Sequence, residues 1–248
     1  MQVGLELFPG LLHFLDIHTH NPGQQAAIYC GVGLDTLTEL DTMAQTDDQI
    51  VEVVTAALDY AVELSEEEEG WKVEKEEGTA VVKVKKNKED RKVWLCTATV
   101  DIAPKVLWDK LLDTDNLTSW NTTLTQSKTI KKLSGDVKVT YQVTSEGGGG
   151  VVSARDFVYG SKTMVKDGTF IIGGMSVEVA EQPEVKGCVR AVHGPGCQKV
   201  QPVPGEPGKS KFIWLMDCDY KGFIPTSVIE IAMPAAQMQM IQCIAKLS

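Results

Sequence analysis

The chain has 248 residues, of which 43% are hydrophobic and 23% charged, a composition typical of a soluble protein that buries a sizeable core. Its formal net charge of −10 argues against nucleic-acid binding, which needs Lys and Arg clustered against phosphates. Neither a membrane helix nor a secretory signal is predicted, because no run of about 18 uninterrupted apolar residues occurs and the apolar N-terminal patch has no basic residues before it.

The first 46 residues show no clear hydrophobic periodicity, so we expect a loosely structured leader (1–46) followed by one domain (47–248). Thr46 and the two aspartates after it are typical helix caps. Apolar residues then recur at three- and four-residue spacing until an acidic run at 66–69. This pattern predicts an amphipathic helix at the start of the domain.

Alternating apolar and polar residues predict two strands at 79–86 and 92–102, followed by a helix that opens on Pro104. The second half of the chain reads as one strand after another. The end of the chain is an apolar helix that opens on Pro225 and is interrupted by Pro234. The order of elements predicts an α+β fold, in which an antiparallel sheet is covered by the terminal helix.

Four consecutive glycines at 147–150 suggest either a phosphate-binding loop or a turn. A phosphate-binding loop needs a lysine and a following helix, and a dinucleotide fingerprint also needs a helix N-terminus for the pyrophosphate. Here Val151, Val152 and a strand follow the glycines instead. A flexible hairpin turn is therefore the better interpretation.

Six cysteines occur without any C-x-x-C spacing, in a chain too large to depend on disulfides for stability. We therefore expect reduced thiols and a cytoplasmic location. The cysteines are Cys30, Cys96, Cys188, Cys197, Cys218 and Cys243.

Four separated motifs carry a resemblance to a known family: SWNTT (119–123), VVSARDFV (151–158), GCVRAVHGPGC (187–197) and FIWLMDCDYKGFIPTSVI (212–229). Their order along about four fifths of the chain resembles the StAR-related lipid transfer (START) domain. Within that family the likeness is to the steroidogenic-carrier branch and to insect (silk-moth) carotenoid-binding members. The resemblance implies a helix-grip fold of about nine antiparallel strands around a hydrophobic tunnel. A C-terminal helix would close that tunnel, which would hold one lipid and perform no chemistry.

The resemblance also implies a set of ligand-binding positions in the tunnel. Three of them, Met233, Ala236 and Met240, lie at i, i+3 and i+7 on one face of the last helix, and methionine adapts well to an irregular ligand. The full set is Asn121, Gln142, Ser161, Ile172, Met175, Trp214, Ile229, Met233, Ala236 and Met240.

Gln142 and Ser161 stand where the sterol carriers have a buried acid and a buried arginine. Losing both charges together is reasonable, because removing one would leave the other unpaired at a cost of about 3–5 kcal/mol. The sequence therefore predicts a tunnel without charged side chains, suited to a carotenoid of the lutein (xanthophyll) type; a sterol is the alternative. Arg155 shares a strand face with Phe157, and we interpret it and Asp156 as structural, ion-paired residues.

No residue pattern points to catalysis or to a metal. The histidines of HFLDIHTH fall in the leader and are interpreted as surface residues. His193 precedes Cys197 by four residues, but no orienting group or oxyanion hole accompanies them. Asp217 and Asp219 are interpreted as polar positions at a strand end rather than as opposed glycosidase carboxylates. We expect a non-enzymatic monomer without a cofactor that contacts membranes transiently to load and unload its lipid.

Overall fold

A computed structural model of the protein describes residues 44–146 and 152–247. Nearly all of the predicted leader, with its three histidines and Cys30, lies outside the described residues. The same holds for the glycine run at 147–150. The predictions made for those segments stay predictions.

The described residues form three α-helices and one 3₁₀ helix, together with eleven strands. The helices are α1 (Asp47–Glu66), α2 (Pro104–Leu112) and α3 (Thr226–Ala245), with the 3₁₀ helix at Thr114–Ser119. The strands are β1 (Lys72–Glu77), β2 (Ala80–Lys86), β3 (Lys92–Val100), β4 (Leu124–Lys132), β5 (Val137–Thr144), β6 (Arg155–Lys166), β7 (Thr169–Ser176), β8 (Val189–Arg190), β9 (Val192–His193), β10 (Gly196–Val203) and β11 (Glu206–Asp219).

Helix α1 begins as the sequence predicts. The Thr46 hydroxyl accepts from the Gln49 amide while the Gln49 side chain accepts from the Thr46 amide, a reciprocal capping box. Ile50, Val54 and Leu58 then fall on one face and are at most 1% exposed. Burial of this face, more than helix propensity, fixes α1 against the sheet.

Nine strands form one continuous antiparallel path in the order β1-β2-β3-β11-β10-β7-β6-β5-β4. The two short strands lie off this path: β8 pairs in parallel with β6, and β9 pairs with β11. The predicted α+β class, with an antiparallel sheet and a C-terminal helix, is confirmed.

The two faces of the sheet pack differently. On one face α1 lies against β6, β7 and β10, closely enough that a Cβ added to Gly160 would be 2.4 Å from the Val54 methyl. On the other face α3 packs over β1, β2 and β3, and Met233, Met240 and Ile244 of α3 belong to the core there. The candidate site lies on this second face.

Helix α3 continues through Pro234, which lies inside it. By length and composition α3 could also cross a membrane, but in this fold it covers the sheet. The sequence did not predict β1 or the first half of β4. Both lie at the edges of the sheet, and every residue of β1 is exposed, so no alternation marks it.

Candidate functional site

A cavity of about 510 Å³ lies between the sheet and α3, within the usual size range of small-molecule sites. Strands β5, β6, β7 and β11 line it, together with the segment after α2 and the inner face of α3. Nine of the ten predicted positions line this cavity: Asn121, Gln142, Ser161, Ile172, Trp214, Ile229, Met233, Ala236 and Met240.

The tenth position, Met175, is a correction. It is 1% exposed and packs against Ala57 of α1, on the opposite side of the sheet from the cavity. Successive side chains of a strand point to opposite faces, so residues 172 and 175, which are three apart, cannot both face the ligand. Ile172 is the one that lines the cavity.

The same alternation brings in residues that the sequence reading missed. Gln142 lies on one face of β5 with Lys138, and Ser161 lies on one face of β6 with Arg155 and Tyr159; all of these line the cavity. In the β5–β6 register Lys138 is directly opposite Ser161. Side chains an even number of residues apart on a strand share a face, so placing Gln142 and Ser161 in the cavity also predicts that Lys138 and Arg155 face it.

The expectation of a tunnel free of charged side chains is therefore wrong. Arg155 is 4% exposed and lies at the cavity wall, where its Nε donates to the Tyr220 carbonyl at 3.2 Å. Its other nitrogens donate to the carbonyls of Ser153 and Lys221 and to the Ser153 hydroxyl. Within the described residues it has no carboxylate partner, so neutral oxygens alone stabilise this guanidinium.

An ion pair is present at Asp156, the residue that follows Arg155. Asp156 is fully buried on the other face of β6 and accepts from the Arg190 guanidinium at 2.9 Å. The structural interpretation is thus confirmed for Asp156, whereas Arg155 is held by carbonyl groups. Asp217 is likewise structural, with its carboxylate 2.9 Å from the Arg91 guanidinium.

Lys138 is the second cation of the cavity wall. Its ammonium donates to the Leu112 carbonyl at 3.1 Å and to the Thr114 hydroxyl. Burial lowers the pKa of Lys138, since desolvation disfavours the charged form. Thus Gln142 and Ser161 are uncharged, but the cavity has a lysine opposite Ser161.

Gln142 and Ser161 differ in how their polar atoms are satisfied. The Gln142 amide donates to the Ser127 hydroxyl at 3.2 Å. Ser161 is 3% exposed, and its hydroxyl has no hydrogen-bond partner among the described residues. A buried polar group without a partner is costly, so this hydroxyl is a candidate for contact with a bound molecule.

His193 stacks on Phe157, with ring centroids 4.3 Å apart, and meets Tyr159 edge-on. Burial lowers the pKa of His193 to about 4, so the imidazole is neutral at pH 7. Burial raises the pKa of the Cys197 thiol to about 11, and that thiol points to the Ala61 carbonyl of α1. This histidine and cysteine therefore do not form a nucleophilic pair.

An antiparallel sheet that encloses an apolar cavity under a terminal helix defines a small-molecule-binding protein of the helix-grip type. Comparison with known proteins agrees: the START domain family model matches residues 53–243. The chain belongs to the START family.

The Danio rerio protein named "Steroidogenic acute regulatory protein, mitochondrial" is 31% identical over 204 residues, covering 81% of this chain and 71% of that protein. The Equus caballus protein of the same name is 30% identical over 184 residues, or 73% of this chain. The chain spans only 65% of the length of the horse protein.

Among solved structures, the human StAR-related lipid transfer protein 5 superimposes with a TM-score of 0.77 at 20% identity, covering 82% of this chain and 97% of that one. At this identity the likeness shows the fold alone. START lipid-transfer proteins are generally non-enzymatic carriers.

Proposed function

We propose that the protein is a non-enzymatic carrier that holds one carotenoid of the lutein type in the cavity under α3 and moves it through the cytoplasm. Burial of an apolar ligand there is favourable by about 25 cal/mol per Å² of apolar surface removed from water. The carrier class follows from family membership, whereas the carotenoid is our inference from the cavity wall.

The observation that carries this proposal is the distribution of polar groups along β6. Arg155 and Ser161, which are six residues apart, lie roughly 20 Å from each other at about 3.3 Å per residue. Between them, on the same face of β6, lie two aromatic residues, Phe157 and Tyr159, which also line the cavity. Such a wall suits a long ligand with an apolar middle and polar groups at both ends, as in a xanthophyll.

A sterol is the second candidate. It is supported by the relatives at 30% identity or more, which are named steroidogenic acute regulatory proteins. A sterol has one hydroxyl group, however, and would leave the polar groups at one end of the cavity without a partner. No acid–arginine pair stands at Gln142 and Ser161 to receive that hydroxyl.

The two candidates can be separated by titrating the purified protein with lutein and with cholesterol. We expect one lutein per chain, with a shifted visible spectrum, and tighter binding of lutein than of cholesterol. Retention of cholesterol without any uptake of lutein would contradict the carotenoid proposal and leave the carrier class intact.

A variant sharpens this test. Ser161→Arg places a second cation beside Lys138, which itself forms no ion pair within the described residues. We expect lutein binding to weaken at least about 10-fold, which corresponds to about 1.4 kcal/mol. Unchanged uptake by a folded Ser161→Arg protein would show that this position does not face the ligand.

We further propose that the carrier acts as a monomer without a cofactor and touches membranes transiently. Phe223, just before α3, is 99% exposed, and Ile231 on the outer face of α3 is 76% exposed. Exposed apolar side chains on the helix that covers the cavity suit a brief apolar contact during loading. Vesicle flotation should detect this contact, and Phe223→Ser together with Ile231→Ser should weaken it.

A further inference from the structure

We propose that the end of the cavity formed by Lys138 and Ser161 is a binding site for a carboxylate, so that the protein also takes acidic lipids such as long-chain polyene acids. This ligand class goes beyond the neutral carotenoid or sterol of the proposed function.

The first support is the free donor capacity of Lys138. An ammonium has three N–H donors, and the structure shows two acceptors, the Leu112 carbonyl and the Thr114 hydroxyl. Both acceptors are uncharged, and Thr114 is itself buried. Because Lys138 also lines the cavity, a ligand oxygen can take the remaining donor.

The second support is that the nearby carboxylates are engaged elsewhere. Asp113 accepts from the Asn116 amide at 2.9 Å, and Asp115 accepts from the Thr129 backbone amide at 2.7 Å. Neither is in an ion pair with Lys138, which has none in the described part of the chain. Burial lowers the pKa of Lys138, and the charge of Asp115 opposes this shift in part. A ligand carboxylate would supply the missing counter-charge.

The third support is independent of charge. The Ser161 hydroxyl lies directly across from Lys138 in the strand register and is buried at the cavity wall, with no hydrogen-bond partner among residues 44–146 and 152–247. A carboxylate has two oxygens that only accept, so one can accept from Lys138 and the other from Ser161. Such charge-assisted bonds are roughly twice as strong as neutral ones. The site thus matches an acid better than an alcohol.

The test compares a fluorescent polyene fatty acid, cis-parinaric acid, with its methyl ester, which has the same chain but no charge. We expect the wild-type protein to bind the acid at least about 10-fold more tightly than the ester, as expected for a charged hydrogen bond. In Lys138→Met this preference should fall to about 2-fold or less, with binding of the ester retained. Ester binding also reports that the variant is folded and that its cavity is intact.

The matched control is Lys162→Met. Lys162 is the neighbour of Ser161 on β6, but its ammonium faces α1 and donates to the Thr55 hydroxyl at 3.2 Å. This variant should keep the full preference for the acid. Equal affinity of the wild-type protein for acid and ester would overturn the proposal whatever the variants do. So would loss of the preference in Lys162→Met to the same degree as in Lys138→Met. Neither result would bear on whether lutein or cholesterol is carried.

Discussion

Buried charged side chains have different kinds of partner on the two faces of the sheet. On the α1 face, Lys199 is 2% exposed and pairs with Glu66 at 3.0 Å, and the buried Asp156 pairs with Arg190. On the cavity face, the partners of Arg155 and Lys138 within the described residues are all neutral oxygens. Opposite charges satisfy each other where the fold is closed, whereas the open face keeps donors that a ligand can use.

Packing follows the same division. Leu58 and its neighbours on α1 fill the space above β7 and β10. On the adjacent strand β6, a methyl group added at Gly160 would clash with Val54 of α1. On the other face the side chains of β5, β6 and α3 leave about 510 Å³ unfilled. The difference indicates that the α1 face is closely packed, whereas part of the other face remains hollow and open to a ligand.

The largest effect is expected from breaking an ion pair on the closed face. Arg190→Met leaves the Asp156 carboxylate buried without its counter-charge, so the free energy of unfolding should fall by about 3–5 kcal/mol. Urea denaturation at pH 7 measures this. Adding Asp156→Asn to the same protein should recover part of the loss. A single variant as stable as the wild type would contradict the role given to this pair.

The next comparison concerns apolar side chains on the two faces. Leu58→Ala creates a new void in a closed core and should cost about 2–5 kcal/mol. Ile172→Ala only enlarges a cavity that already exists, so its cost should be about 1 kcal/mol, while ligand binding weakens. Equal losses of stability in the two variants would mean that the cavity face is as closely packed as the α1 face.

The pH dependence of stability tests the environment of His193. Its pKa is about 4 in the folded protein, against 6.5 as the ordinary value, so the unfolded chain binds a proton first as the pH falls. Stability is therefore fully present above pH 6.5 and should decrease towards pH 4, by at most about 3 kcal/mol. Other groups titrate in this range, so the measured quantity is the difference between the wild type and His193→Gln. An identical pH dependence in both proteins would contradict the account.

The smallest expected change is in Ser161→Ala. The Ser161 hydroxyl has no hydrogen-bond partner in the part of the chain that the structure describes, so its removal should leave stability unchanged or raise it by up to about 1 kcal/mol. Binding of a ligand that accepts a hydrogen bond at this end should weaken. Thermal unfolding and ligand titration of the same preparation give both values. A clear loss of stability would show that the hydroxyl serves the fold instead.

Much of the fold could be predicted from the sequence, because local residue patterns specify most of the helices and strands. Capping at Thr46 and apolar spacing located α1, and alternation located β2 and β3. Edge strand β1 could not be found in this way, since five of the six residues of KVEKEE are charged and all six are exposed.

The site was predictable in outline for a different reason. The resemblance identified most of the cavity wall, but it did not take into account that alternate side chains of a strand face opposite sides of the sheet. This alternation places Met175 on the opposite face from Ile172, and it places Lys138 on the same face as Gln142. The partners of these cations were not predictable, because the Leu112 and Tyr220 carbonyls reach the wall only through tertiary packing.

The most direct test of the central claim is the amount of pigment that co-purifies with the protein from carotenoid-producing cells. If the hollow face is a carotenoid site, absorbance of the gel-filtered protein should show one bound carotenoid per chain. A colourless protein that is folded by circular dichroism would contradict the claim.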